Sequence, residues 1–457
     1  VLSLLRLLAF VGILIGAFKS FSQLIFLAYL VLPSLIAFVF LLNTYAKKKA
    51  IQKYQGKRIQ LCENELLIAN GKFQDFPDGA KYKDPLHEYS EDLDLFGRNS
   101  FFQYTNRTQT SEGEASYASL LKSNNSNNIL EKQDAIKELA AMADWRMDYA
   151  TTAALIDAEK PVGNIISWLK TYSPFTKKYF RWLPKIYLAI SLLIVILVSQ
   201  NILSGLVLAL WMSLGLAISL RQGKAVGNLL DSFSTHHEVL AKYADLLEKI
   251  ESTNFKSSLL KAKQEELKSS QTLASEAVAD LAKKLQLLEH GSNLIVKIFA
   301  NALGLYDLWT SYPVEDWIKE YTDEVGDWLE VAAFFEAQHS LASLAFNKEN
   351  YTYPILNPDS NNFIKATGLI HPLLLKEDAV PSDVHIKEGD FLIITGANMA
   401  GKSTFLRSIS LAVIMANLGL PVRAKEMTYK AMPLVSSMRT TDALDEETSY
   451  FFAELKR

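Results

Sequence analysis

Apolar positions along this chain fall into two long uncharged runs, with helically spaced stretches between and after them. Residues 20–46 carry no charge, and their apolar heart, 24–42, approaches the roughly 20 residues that cross a bilayer as helix. Before it, residues 7–18 are apolar but short, and reach spanning length only if Arg6 snorkels or if further sequence precedes Val1. A second uncharged run, 186–220, is broken at Ser199, Gln200 and Asn201, which predicts two short helices joined by a polar turn. The pattern predicts two transmembrane hairpins, residues 1–46 and 173–225.

The charges beside these runs agree on an orientation. Lys47, Lys48, Lys49 and Lys53 follow the first run, Lys177, Lys178, Arg181 and Lys185 precede the second, and Arg221 and Lys224 follow it. By the positive-inside rule both hairpins enter and leave on the cytoplasmic face. The expected location is therefore the inner (cytoplasmic) membrane, multi-pass, with the lipid bilayer as a partner and the remaining domains cytoplasmic. The alternatives are buried helices of a large soluble core or a signal peptide, and a cleaved signal leaves the second run unexplained.

Residues 91–154 are polar-amphipathic, with Ile136, Leu139, Ala140 and Met142 at helical spacing, while 122–128, rich in Ser and Asn, reads as a loop. From 226 to 291 the chain is almost free of Pro and Gly, and Val278, Leu281, Leu285 and Leu288 share a helix face, the mark of a packed core or coiled-coil seam. After Asn357 short apolar strands alternate with turns. The resulting division is hairpin 1–46, linker 47–90, helical core 91–172, hairpin 173–225, long core or lever helices 226–355, and 356–457 as the N-terminal part of an α/β P-loop NTPase domain.

Composition narrows the chemistry. The chain has 457 residues, enough for several self-sufficient cores, and its single cysteine, Cys62, cannot form an internal bridge. Seven histidines include no HExxH pair, so no metal is expected beyond one carried by a nucleotide. A net charge of -3 lends no support to a nucleic-acid partner, although a local basic patch fits within that total.

The sharpest chemical signal lies near the C-terminus. Phe391, Leu392, Ile393, Ile394 and Thr395 read as an apolar strand feeding Gly396-Ala397-Asn398-Met399-Ala400-Gly401-Lys402-Ser403, the GxxxxGK[ST] pattern, followed by Thr404 and a helix over 402–418 ended by Gly419 and Pro421. The glycines let backbone N–H groups turn toward phosphates, Lys402 brings a point charge to the β- and γ-phosphates, and Ser403 offers a hydroxyl to Mg2+. The helix adds its positive N-terminus. ATP with Mg2+ is the expected ligand.

Thr395 to Thr404, read as TGANMAGKST, resembles the TGPNMxGKST loop of the MutS family, whose Asn-Met pair sets it apart from other P-loops. Ile370-His371-Pro372 is similar to that family's HP element, and Val380-Pro381-Ser382-Asp383 to its VPND stretch near the nucleotide base. Asp442-Ala443-Leu444 and Ser449-Tyr450-Phe451-Phe452-Ala453-Glu454-Leu455 resemble the DDL and STFMxEM pieces. More weakly, Asp94-Leu95-Phe96-Gly97, Asn106-Arg107-Thr108 and Gln133-Asp134-Ala135-Ile136 look like the core helical domain, and 328–344 with 351–354 like the helix and strand leading into the ATPase.

The resemblance implies a homodimeric ATPase in which Ser449 faces the γ-phosphate held by the other subunit, with DNA as the partner clamped by the middle helices. Departures are Ala397 for the usual proline, Ser382 for asparagine, and Glu447 for the glycine before the signature serine, where a carboxylate would repel a γ-phosphate. No recognisable mismatch-reading domain precedes the core in this sequence, where a membrane hairpin is expected instead, and the second hairpin is likewise foreign to the soluble repair proteins. The family's strand ending in Asp-Glu is not reached by Arg457, so this chain is expected to bind ATP but to hydrolyse it poorly. A transporter-like ATPase and a nucleotide-binding membrane scaffold without DNA function are the competing readings.

Overall fold

The computed structural model describes residues 2–20, 30–156, 163–175, 181–233, 237–268, 272–290, 294–358, 361–374, 379–397 and 400–438. The chain divides into two compact units, Val1–Leu66 and Leu67–Arg457.

The first unit is a pair of helices, α1 (Leu2–Ser20) and α2 (Leu32–Ala69), the latter continuing into the second unit. They run antiparallel at close range. A Cβ placed on Gly12 would lie 2.8 Å from the Ser34 hydroxyl, and one on Gly16 would lie 2.8 Å from a Val31 methyl. Gly12 and Gly16 form a G-x-x-x-G spacing on an apolar helix, the small-residue device by which helices in lipid bring their backbones together. Phe10 and Phe38 meet one step further along, with ring centroids 6.1 Å apart. Leu4, Leu7, Leu14 and Phe18 on α1 and Ile36 and Phe40 on α2 stay exposed. The linker expected over 47–90 is helical as far as Ala69, because Lys, Gln, Ile and Leu are good helix formers and only Gly56 interrupts them.

The second unit is mostly helical. Its helices are α3 (Phe101–Thr105), α4 (Ser111–Lys122), α5 (Ile129–Ala141), α6 (Ala143–Ala153), α7 (Gly163–Thr171), α8 (Leu183–Ser199), α9 (Gly205–Phe233), α10 (His237–Glu251), α11 (Ser258–Glu265), α12 (Ala274–His290), α13 (Leu294–Gly304), α14 (Tyr306–Tyr321), α15 (Val325–Asn347) and α16 (Lys402–Asn417). Ser100 and Thr110 cap α3 and α4 through their side-chain oxygens. The Ser/Asn loop between α4 and α5 turns through left-handed Asn124 and Asn128, residues that tolerate positive φ. Val278, Leu281, Leu285 and Leu288 are all buried on α12, as their spacing predicts, in a cluster shared with α10, α14 and α15.

Helix α15 is the strut common to both main cores. Trp328, Val331 and Phe335 face the helical cluster, while Ala337, Leu341 and Leu344 face a second cluster formed with α3, α4, α16 and the sheet. A helix buried on all sides must also settle its polar groups. Glu336 does so by accepting from Gln109 N (2.8 Å), Thr110 N (3.1 Å) and the Thr110 hydroxyl (2.9 Å).

The second uncharged run folds as α8 and α9, joined at Gln200 and left-handed Asn201. Two short helices were expected there. Instead α9 runs on past Arg221 and Lys224, because its last turns bury Val226 and Leu229 in the helical core. Gly215 lies where α8, α9 and α13 cross: a Cβ there would be 2.5 Å from the Tyr187 hydroxyl and 2.6 Å from the Ala302 carbonyl. Tyr187 stacks on Trp211 at 4.5 Å and donates to the Trp211 carbonyl (2.6 Å). Among the described residues one helix, Gly205–Leu229, is long and apolar enough to cross a membrane, and Leu183–Ser199 is a shorter apolar helix. Part of the 24–42 stretch lies outside the described residues.

The expected α/β domain is represented among the described residues by one small mixed sheet. Strands β1 (Ile355–Leu356), β2 (Asn362–Leu369), β3 (Ser382–Lys387) and β4 (Glu426–Tyr429) lie in the order β1-β4-β2-β3, with β1 parallel to β4 and the other pairs antiparallel. The strand expected over 391–395 is absent from it. Phe391, Leu392 and Ile393 are exposed, at 88%, 54% and 70%, and the segment forms no ladder with the four described strands.

Candidate nucleotide-binding site

Helix α16 begins directly at Lys402 because Gly401 precedes it in the left-handed conformation, φ 84°, with nothing within 4 Å of where a Cβ would stand. Ala400 N donates to the Ala397 carbonyl (3.2 Å) and Phe405 N to the Gly401 carbonyl (2.9 Å). The far end is closed by a Schellman arrangement: Gly419 N donates to Ala416 O (2.9 Å) and Leu420 N to Met415 O (2.8 Å), with Gly419 at φ 82°. Lys132 adds a cation there, donating to the Asn417 carbonyl at 3.1 Å. From Ser408 to Asn417 the helix is buried, so the core holds its N-terminus in place.

Lys402 curls back over its own loop. Its ammonium donates to the carbonyls of Gly396 (2.6 Å) and Ala397 (2.7 Å), while Ser403 and Thr404 are exposed on the first turn. No acidic side chain occupies that turn. An anion arriving at the helix N-terminus therefore meets free N–H groups, an ammonium whose present acceptors are neutral, and a hydroxyl that can reach a cation. These residues fit a nucleotide triphosphate with Mg2+. Among the predicted site residues, Gly396, Ala397, Ala400, Gly401, Lys402, Ser403 and Thr404 are brought together; Asn398, Met399 and Ser449 lie outside the described residues, as do Asp442 and Glu447.

The surroundings anchor this helix to the turn that carries Asp94. Arg407 Nε donates to the Asp92 carbonyl (2.9 Å), and its guanidinium pairs with Asp94 at 3.2 Å. His371 sits close by: burial lowers its pKa to about 4, with Arg407 and Arg423 adding to the effect and Asp94 opposing it. The ring is accordingly neutral near pH 7. Arg423 donates to the carbonyls of His371 (3.2 Å) and Leu374 (2.6 Å), which fixes the Ile370-His371-Pro372 turn. At β3, Asp383 accepts from Gly368 N (2.8 Å) and Val380 is exposed.

Residues 430–438, after β4, fold back on the same turn. Asn124 exchanges hydrogen bonds with the Leu434 backbone (2.8 and 2.9 Å), and Ser436 donates to Glu88 O and to the Asp92 carboxylate, each at 2.9 Å. Arg407, Asp92 and Asn124 belong to none of the motifs that mark the site in the sequence. The usable signals are an arginine five residues beyond Lys402 on the same helix and the alternation Asp92-Leu93-Asp94-Leu95.

Residues 392–457 match the family profile of MutS domain V. The chain is also 32% identical over 143 residues to the DNA mismatch repair protein MSH3 of Candida glabrata, covering 30% of this chain and 14% of that protein. It is 38% identical over 91 residues to human MutS protein homolog 4, covering 19% and 10%. To the DNA mismatch repair protein MutS of Carboxydothermus hydrogenoformans it is 32% identical over 179 residues, covering 37% and 20%. The matches support the MutS family. Each covers a minor part of the relative, from 10% to 20% in these three, and the MutS-like segment includes the glycine turn, Lys402 and α16.

Proposed function

We propose that this chain is the ATP-binding part of a membrane-tethered, MutS-like machine, in which ATP with Mg2+ closes a homodimer on DNA. The observation that carries the reading is the Lys402 ammonium resting on the Gly396 and Ala397 carbonyls at the start of α16, within a segment matching MutS domain V. Phosphate oxygens, being anionic, are better acceptors for that ammonium than neutral carbonyls, and would draw it off them. The N–H groups of Gly401 to Ser403 and the helix terminus would hold the β- and γ-phosphates, and the Ser403 hydroxyl would hold Mg2+. Bound Mg2+ neutralises charge on the phosphates. Ser449 would complete the site of the other protomer.

DNA enters through the relatives, whose names describe DNA mismatch repair proteins. The membrane tether is supported by the close-packed apolar pair α1 and α2 and by the exposed apolar surface of α8 and α9, where Leu192, Ile196, Leu206 and Leu210 are all more than half exposed. The deciding test is nucleotide binding and ATP hydrolysis by the full-length gene product in detergent, with and without duplex DNA, beside Lys402→Ala. Stimulation by duplex that disappears in the variant supports the reading. Turnover indifferent to DNA removes the DNA role, and nucleotide binding unaffected by Lys402→Ala removes the site.

A further inference from the structure

The boundary between apolar and basic sequence on α2 falls inside one uninterrupted helix. Residues 32–42 are apolar, Tyr45 follows, and then Lys47, Lys48, Lys49, Lys53, Lys57 and Arg58 occupy twelve positions, with no Asp or Glu anywhere from Val1 to Cys62. Lys47, Lys48, Lys49 and Lys53 are exposed. The level of the boundary is marked a second time by α1, whose Arg6 guanidinium lies 3.9 Å above the Tyr45 ring. A cation and an aromatic ring paired at one end of an apolar helix pair have the chemistry of the bilayer interface, where amphipathic rings and snorkelling arginines sit.

The angular distribution of the cations decides what they fit. At about 100° per residue, taking Lys47 as zero, Arg58 falls near 20°, Lys48 near 100°, Lys49 near 200°, Lys53 near 240° and Lys57 near 280°. They form a collar around the helix. A duplex groove or an acidic peptide meets a helix along one face, whereas a helix leaving a bilayer meets headgroups on every side.

We propose that this collar binds anionic lipid headgroups, with Lys47, Lys48 and Lys49 in the headgroup layer and Lys53, Lys57 and Arg58 in the negative potential just beyond it. The inference rests on the membrane-tether reading and adds the lipid class. Each lysine near an anionic surface contributes on the order of a fivefold gain in binding. The collar should thus discriminate strongly between charged and zwitterionic membranes, and salt should weaken it.

The test is flotation of the full chain, synthesised cell-free in the presence of phosphatidylcholine vesicles or of vesicles containing about one-third phosphatidylglycerol. The comparison protein carries Lys47→Gln, Lys48→Gln, Lys49→Gln and Lys53→Gln together, with ATP-analogue binding as its folding control. Expected is at least about tenfold more capture by the anionic vesicles, a preference that disappears in high salt and in the fourfold variant while the capture due to the tether persists. Equal capture by both vesicle types, unchanged in the variant, overturns the collar and leaves the tether standing. No capture by either overturns the tether and the collar with it. Loss of duplex-DNA retention in the variant with flotation unchanged overturns the lipid assignment in favour of nucleic acid.

Discussion

Arg407 reaches from the second turn of α16 to Asp94, 3.2 Å away, and donates to the carbonyl of Asp92 on the way. The helix that begins with Lys402 is thereby tied to a turn more than 300 residues earlier in the chain, and Ser436 donates to the Asp92 carboxylate of the same turn. Replacing Arg407 with Ala should cost about 1–2 kcal/mol, since the ion pair is partly exposed but the hydrogen bond to a carbonyl is charge-assisted. Urea denaturation of the full chain in detergent measures the loss. ATP-analogue affinity should fall far less than in Lys402→Ala, because the hydrogen bond and ion pair of Arg407 go to Asp92 and Asp94.

His371 and His339 make stability depend on pH in a definable window. Burial lowers His371 to about 4 and His339 to about 3, from an ordinary value near 6.5. With both folded-state values depressed, the unfolded chain binds protons first as acid is added. Their contribution is complete above about pH 6.5 and is lost as pH falls toward 4, at about 1.4 kcal/mol per pH unit for each ring. Urea midpoints at pH 7, 6 and 5 should drop steadily, and His371→Gln should flatten that slope by about half. An unchanged slope in the variant would refute the assignment.

Glu336 shifts the other way. Burial raises its pKa above the ordinary 4.5, so the carboxyl contributes stability that is present in acid and lost as pH rises through the raised value. Glu336→Ala leaves the N–H groups of Gln109 and Thr110 without their acceptor and should cost about 2–4 kcal/mol. Comparing its denaturation with that of the parent chain from pH 4 to 8 should show the largest gap at the acid end.

Gly16 and Gly215 test how the apolar helices pack. Gly16→Leu would drive a side chain into Val31, and Gly215→Ala would put a methyl 2.5 Å from the Tyr187 hydroxyl. Each should lower the melting temperature in detergent by several degrees while ATP-analogue binding, measured beside it, stays intact, since the steric clash falls on Val31 in one case and on Tyr187 in the other. A Gly56→Ala control, where a Cβ meets nothing within 4 Å, should be neutral or slightly stabilising.

Local sequence determined the elements whose cause is local. The heptad-like apolar spacing of α12, the Ser/Asn loop after α4, the polar break at Gln200 and Asn201, and the start and stop of α16 at Gly401 and Gly419 all follow from residues a few positions apart. The order of Gly, Lys and Ser around residue 400 likewise carries its chemistry in its spacing.

Tertiary structure decided whatever depends on a distant partner. The apolar segment 391–395 forms no ladder with the described strands, although its composition reads as a strand, and strand pairing depends on distant neighbours that local sequence does not name. Helix α9 outlasts its apolar run because Val226 and Leu229 find a core, and the glycines at 12, 16 and 215 matter because another helix presses on them. Arg407 and Asp94 acquire their roles only when the chain between them is folded, since contact across that separation is set by packing and not by period.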